Sequence, residues 1–522
     1  MDNFNSFIQR NFKISFVFFA LGLFFGIIYS LNLLGIFIDS QTLLPSNMRS
    51  IHISLMLYGF VTLMLSYLPF LIINKEVGSC SDGLHYLNLY TIFWYIFLIF
   101  MIFSLLFGNT RGLAFYDFPY ELNFILALAG VFYIIALFKF IKQYKVLPTW
   151  VKVCLKIVII APITLLILMN PIIGQVERTI SGPHGDNTLG MSLSMIPLYY
   201  LIIKLLNKGE FVAKWNIFWI IPTIFYFSSV LYRIFFVPLT YNQEWFLQYL
   251  TFLYVPLLYK WYKDTHIEGF AKKALLVSIL AFVFVDIEGN ILFIPELRWV
   301  FHRNDLVVAH AHVAMGIGAF FMVIAMFTQY IKELQKNFFY TVYLLGMLGI
   351  FSVLSVSGLS QAGFIDIDIL QLWMARTFFG IITFASIIVF IDYKIKATNL
   401  QIYNVLGVLN DGLGGVFLIL LASFIYPYMQ IPFDGKYQYI VFAFVSLTGV
   451  IHFMALKYKE HEDILTSLTA LIRVFISAVF FSLYSANILG KEALVICVFD
   501  LVFALFYVVF LKKGKMLCKD SF

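Results

Sequence analysis

About sixteen apolar runs of roughly 20 residues recur from one end of this 522-residue chain to the other, each long enough to cross a bilayer core. They fall near 13–37, 50–73, 86–107, 120–142, 150–170, 186–206, 214–237, 245–262, 272–294, 304–332, 337–360, 369–395, 402–426, 437–457, 465–487 and 491–512. Hydrocarbon offers no partner to a backbone N–H or C=O, so a spanning segment must be a helix or part of a closed barrel. Continuous runs of this length exceed a tilted barrel strand of about 10 residues, so the chain reads as an all-α integral membrane protein. A composition of 62% hydrophobic and 12% charged residues, with 60 Phe and 31 Tyr, excludes a soluble domain. The first run follows a charged, Asn-rich stretch, is too long for a signal peptide and lacks a small-residue cleavage site, so it reads as a retained helix.

Basic residues set an expected orientation. Connections after even-numbered runs carry lysines from Lys75, Lys142 and Lys145 through Lys394, Lys396, Lys457 and Lys459, and Lys512, Lys513, Lys515 and Lys519 crowd the end. The other connections carry only Arg49, Arg111, Arg178, Arg298, Arg303, Lys436 and Lys491. The positive-inside rule then places both termini in the cytoplasm, as expected of a bacterial inner-membrane protein. The net charge of +7 follows from this asymmetry, and no basic patch with interleaved aromatics points to a nucleic-acid partner. Cys80, Cys154, Cys497 and Cys518 are scattered, with no zinc-ribbon spacing and no covalent c-type haem motif. No phosphate-binding loop, dinucleotide fingerprint or internal repeat is visible.

Histidine carries the chemistry. His52 lies near the start of the second run, and His310 and His312 near the start of the tenth. An imidazole inside a bilayer is costly, and three at matched depth near the outer side point to bound metal, with haem iron the best fit. His310 and His312, two residues apart on a helix, point roughly 200° apart and cannot share one metal. His52 with His312 would complete a six-coordinate iron, and His310 would hold a second, five-coordinate iron with an open face. His85, His266, His452 and His461 are read as solvated or interfacial, at helix ends or in loops.

These residues, with several short motifs, resemble subunit I of the haem-copper oxidase superfamily, most like the C-family (cbb-type) oxidases and their nitric-oxide-reductase relatives. The resemblance spans about Arg49 to Lys396. Phe301-His302-Arg303-Asn304-Asp305 with Ala309-His310-Ala311-His312 resembles the family's His-x-x-Asp and His-x-His segment. Asp286-Ile287-Glu288-Gly289 resembles its Phe-Glu-Gly element, and Val356-Ser357-Gly358-Leu359-Ser360-Gln361 its Val-Ser-Gly-x-x-Gln. Gly108-Asn109-Thr110-Arg111-Gly112 with Tyr116 resembles the loop after the third helix, and Asp186-Asn187-Thr188-Leu189-Gly190 the start of the sixth. The resemblance implies a twelve-helix subunit I core over 1–396, followed by about four extra membrane helices and a basic cytoplasmic tail over 397–522. It implies two haems: a low-spin haem b between His52 and His312, and a high-spin b-type haem on His310 that takes O2 or NO. Arg49, His302, Arg303 and Asp305 are placed to meet haem propionates, and electrons would come from cytochrome c or quinol, through membrane cytochrome subunits in the usual assembly.

One part of the family pattern is missing. Its second metal uses a His on the sixth helix and a His-His pair on the seventh, whereas the run 214–237 has no histidine and the sixth-helix position is Asp186. A three-imidazole copper site is therefore not expected; Asp186 with His184 is the only remnant that offers a harder ion a place. Arg233 stands near the expected pair. Either it supplies positive charge beside a bound anion or reduced gas, or it snorkels to the surface. Glu288 either relays protons to the gas site or pairs with a buried polar group. The last four runs, from about Gln401 to Leu511, carry no recognisable chemistry and are expected to replace contacts of accessory subunits. Two functions follow: a divergent oxidoreductase of the oxidase or nitric-oxide-reductase kind, or a di-haem electron-transfer or gas-sensing protein without terminal-oxidase turnover. A transporter or structural protein that has lost haem is the third, and the surviving His-x-His argues against it.

Overall fold

In a computed structural model the described residues are helical almost throughout, with no strand among them. They are 3–36, 43–112, 116–168, 185–214, 216–236, 239–292, 294, 296–301, 304–335, 337–391, 399–416, 418–419, 422, 426, 433, 435–486, 488–490 and 492–519. Among them ten helices are long and apolar enough to cross a membrane, and Ser194–Leu206, Ile217–Tyr232 and Ala493–Tyr507 are shorter apolar helices. The protein is an all-α, multi-pass membrane protein. The chain forms two compact units, Met1–Ile391 and Asp392–Phe522. The expected boundary at 396/397 lies just outside the described residues.

The first unit is built from α1 (Asn3–Leu33), α2 (Pro45–Val77), α3 (Ser81–Leu106), α4 (Asn123–Ile141), α5 (Thr149–Leu168), α6 (Gly185–Leu206) and α7 (Ile217–Phe235). Then come α8 (Tyr241–Tyr249), α9 (Tyr254–Asp264), α10 (Gly269–Leu292), α11 (Asp305–Phe327), α12 (Asn337–Gln361) and α13 (Ile369–Ile391). The run read as one helix over 245–262 is two, because a 3-10 stretch at Leu250–Leu253 separates α8 from α9. The second helix begins earlier than its apolar run: Pro45 stands in its first turn, where a missing N–H costs nothing.

Two of these helices are widened internally. α2 is π-helical over Leu55–Thr62, and α11 over His312–Ala319. Wide turns of this kind disturb the i→i−4 ladder, and here neighbouring helices donate to the carbonyls of both stretches. Trp94 Nε1 donates to Tyr58 O (2.9 Å) and Ser15 Oγ to Gly59 O (2.5 Å). Tyr343 donates its hydroxyl to Gly316 O (2.6 Å), and Ser278 Oγ donates to Gly318 O (2.7 Å). Between the two stretches lies an aromatic cluster. Phe12, Phe16 and Phe19 share one face of α1 and pack with Phe60, Phe320 and Tyr343, all fully buried. Phe19 lies 4.7 Å from Phe60 and 5.2 Å from Phe320, and Phe320 stacks on Tyr343 at 4.2 Å between ring centres. Lipid tails are as apolar as these rings, so shape fit and the interhelical hydrogen bonds hold the helices together.

The second unit contains α14 (Asn399–Gly407), which runs into a third π-helical stretch at Val408–Leu413, then α15 (Lys436–Lys457), α16 (Glu462–Ser485) and α17 (Glu492–Lys519). Small residues let two of these segments touch: a Cβ on Gly449 would stand 2.2 Å from Gly412 Cα. His452 is a correction to the sequence reading. It is not interfacial but completely buried within α15. Asp411 and Arg473 are buried in this unit as well. A lone His near a lysine-bearing helix end looks solvated in one dimension; its partners lie on other helices.

Replacing Tyr343 with Phe removes the donor to a buried π-helical carbonyl and should lower stability in detergent or lipid by about 1–3 kcal/mol. The same change at Tyr259, which is 64% exposed, should have little effect. Equal denaturation midpoints for the two variants would contradict this role of the hydroxyl.

A pair of facing imidazoles

His52 is the eighth residue of α2, counted from Pro45, and His312 the eighth of α11, counted from Asp305. His52 therefore lies two turns into its helix. The two rings face each other with centres 6.2 Å apart and planes 25° from parallel. Each is tethered from behind. His52 Nδ1 donates to Gly22 O of α1 (2.8 Å), and His312 Nδ1 donates to Val308 O one turn back on its own helix (2.7 Å). With the Nδ1 proton committed to a carbonyl, each Nε2 is left as a lone-pair donor to a metal. Gly26 makes room for this arrangement: a Cβ there would lie 2.7 Å from His52 Nδ1.

His310 faces other neighbours. Its Nδ1 lies 3.3 Å from Glu288 Oε2 of α10, and both side chains are largely buried. Gly289 allows the ring its place, since a Cβ there would stand 3.3 Å from both His310 Cε1 and Gln248 Nε2. Glu288 thus touches the back of His310, where it orients the imidazole. Gln248, on α8, is buried, and neither amide atom has a hydrogen-bond partner.

Asp305 begins α11, and one oxygen of its carboxylate takes three donors. Oδ2 accepts from Ser357 Oγ (2.6 Å), Gln361 Nε2 (3.0 Å) and Trp373 Nε1 (2.8 Å), while Gln361 Oε1 accepts from the Asp305 N–H (2.8 Å). Gly358 completes the joint, because a Cβ there would sit 2.5 Å from Leu306 N. The Val-Ser-Gly-x-x-Gln segment therefore fastens the start of the histidine helix. An acid at that N-terminus also opposes the helix dipole favourably.

The other expected residues are placed unevenly. Arg49 lies three residues before His52 on α2 and is exposed. Arg233 lies in α7 and Asp186 in the first turn of α6, but their side chains are outside the described residues. His184, His302 and Arg303 lie wholly outside them. Among the described residues no three His, Cys, Asp or Glu side chains gather as metal ligands.

Arg376 was missed in the sequence, although an arginine inside an apolar run is itself a functional signal. It is buried on α13, donates from Nε to Ser30 Oγ (3.0 Å) and lies over the Trp373 ring. Its Nη2 has no hydrogen-bond partner, and its charge is within electrostatic reach of His312 and Asp305.

The fold and these contacts define a multi-pass helical membrane protein with two back-tethered imidazoles facing one another. No known protein-family model matches the chain, and no curated protein matches it significantly.

Asp305→Ala would strand the Trp373 indole and the Ser357 hydroxyl together and should cost roughly 2–4 kcal/mol. Ser357→Ala leaves two donors on the carboxylate and should cost about 1 kcal/mol. Denaturation of both variants in the same detergent checks the ranking, and a reversed order would remove Asp305 from its role as the clasp.

Proposed function

We propose that the chain is a divergent haem-copper-oxidase-like membrane oxidoreductase. In this reading His52 and His312 would hold a low-spin haem b and His310 a high-spin b-type haem, and the two groups would supply electron transfer to a bound gas. The observation that carries the reading is the spacing of the facing rings. A metal–imidazole nitrogen bond is about 2 Å long and the ring centre lies about 1 Å behind the nitrogen, so two imidazoles that hold one metal between them would have centres about 6 Å apart. The 6.2 Å separation fits, and both outward nitrogens are already bonded to carbonyls.

Bound in these places, haem supplies one-electron transfer at a bis-histidine iron and an open coordination position for O2 or NO at a singly ligated one. The protein's own residues do the rest. Gly22 O and Val308 O fix the tautomer and orientation of His52 and His312. Glu288 would do the same for His310, as a carboxylate behind a ligating imidazole does. Arg376, with an unpaired guanidinium nitrogen in a buried setting, is suited to a propionate, and Arg49, His302 and Arg303 are assigned to the same task at the outer helix ends. Arg233 would supply positive charge on the gas side. Asp305 holds the helix start.

Lysine asymmetry supports cytoplasmic termini in a bacterial inner membrane, with the haems towards the outer side. Cytochrome c or quinol would be the donor, with membrane cytochrome subunits as partners. The second reading, di-haem electron transfer or gas sensing without terminal-oxidase turnover, is favoured by one feature: α7 contains no histidine to hold the family's second metal. Copper is accordingly not assigned, and Asp186 with His184 stays the candidate for any harder ion.

Purified protein should give two b-type spectra, one of which shifts with CO. His52→Ala and His312→Ala should each abolish the low-spin signal and spare the CO-binding one, and His310→Ala should do the reverse. Gly26→Leu, which drives a side chain into His52, should mimic His52→Ala. Folded protein without haem would sink both readings. O2 or NO consumption with a reduced donor would separate turnover from sensing.

A further inference from the structure

The second unit holds a charged cluster that the haem reading does not use. Arg473 of α16 donates from Nη2 to Asp411 Oδ2 and from Nη1 to Asp500 Oδ1 of α17, both at 2.5 Å. Its guanidinium lies over the Phe503 ring, 3.8 Å from the centroid. Asp411, Arg473 and His452 are 4%, 2% and 0% exposed. With both carboxylates ionised, one arginine shared between them leaves one negative charge over, among helices apolar enough to cross a membrane. An ionisable group there is functional by default, because an uncompensated charge costs several kcal/mol.

The tautomer of His452 can be read from its neighbours. Thr466 Oγ1 donates to Glu462 O (2.6 Å), so it must accept from Asn404 Nδ2 (2.7 Å). Asn404 therefore turns Oδ1 to His452 Nδ1 (2.9 Å), and that nitrogen carries the proton. Nε2 is left with a lone pair. It has no hydrogen-bond partner, and it faces Asp411 Oδ2 at 3.6 Å. When Asp411 is ionised, two acceptors confront each other in a buried site. One proton between them would satisfy both and bring the cluster to neutrality.

We infer that His452 and Asp411 form a proton-binding site, in which one exchangeable proton joins His452 Nε2 beside Asp411 Oδ2 and neutralises the Asp411–Arg473–Asp500 cluster. The surrounding backbone is shaped for it. Asp411 sits in the π-helical stretch Val408–Leu413, a geometry that recurs at functional sites. Gly407 seats the imidazole, since a Cβ there would stand 2.2 Å from His452 Cδ2. Asn410 Nδ2 holds the other carboxylate oxygen (2.7 Å). The remaining titratable groups around the cluster are Tyr403 of α14, Glu462 of α16 and Tyr507 of α17. Of these, Glu462 reaches Asn404 from the connection that carries Lys459 and His461. Packing alone would require no unpartnered imidazole nitrogen turned to a carboxylate.

The test is solid-state NMR of the full-length protein in lipid bilayers, with 15N-labelled histidine, over roughly pH 5 to 9. The His452 signal is assigned by its loss in His452→Gln. The expected result is a doubly protonated His452 appearing within this range. In Asp411→Asn, half-protonation should need at least about tenfold more acid, one pH unit. Asp500→Asn, which leaves the His452–Asp411 contact in place, should shift it in the same sense, and it serves if Asp411→Asn does not fold. His461→Gln should leave the His452 titration unchanged. A His452 that stays neutral throughout, a titration unaltered in both carboxylate variants, or a signal that follows sodium concentration at fixed pH would each overturn the proposal.

Discussion

The arrangement of the first unit depends on carbonyls released by widened helical turns and recaptured by side chains from other helices. In hydrocarbon an unsatisfied carbonyl costs several kcal/mol, so donors from neighbouring helices stabilise both π-helical stretches. Ser15 and Trp94 serve α2; Tyr343 and Ser278 serve α11. These bonds tie α1, α3, α10 and α12 to the two helices that carry the candidate ligands. The aromatic cluster of Phe19, Phe60, Phe320 and Tyr343 fills the space between them. Both imidazoles of the facing pair stand on these widened helices, His52 just before one π stretch and His312 at the first residue of the other.

Above that frame, precision comes from small residues and short polar clasps. Gly26 and Gly289 leave room for His52 and His310, while Gly358 lets α12 close on the start of α11. The clasp of Ser357, Gln361 and Trp373 on Asp305 then sets where α11 begins, and so the depth of His312. A ligand-binding geometry needs its supporting contacts as much as its ligands. The second unit repeats the theme with Gly407 under His452 and a π stretch around Asp411.

Several features were legible in the chain itself. Apolar run length is a one-dimensional quantity, so helices could be located within a few residues, and the break between α8 and α9 was the main exception. His52, His310 and His312 stood out because histidine in an apolar run is costly. The same reasoning applied to Arg376, Asp411, Arg473 and Asp500 would have marked them too, but nothing in their spacing says which charges meet. His452 was misjudged for that reason: its partners lie 41 to 48 positions away on another helix.

The sequence alone therefore determined the membrane class and the places of the helices, because lipid forces every apolar run to satisfy its own backbone. It also determined that His310 and His312 cannot serve one metal, because a helix turns them apart. Only the tertiary structure decided which nitrogen of each imidazole is tied back, that Arg376 keeps a free donor near His312, and that Asp411 shares Arg473 with Asp500. Those are distances between helices far apart in the chain, set by glycine contacts and cross-helix hydrogen bonds that no local pattern encodes.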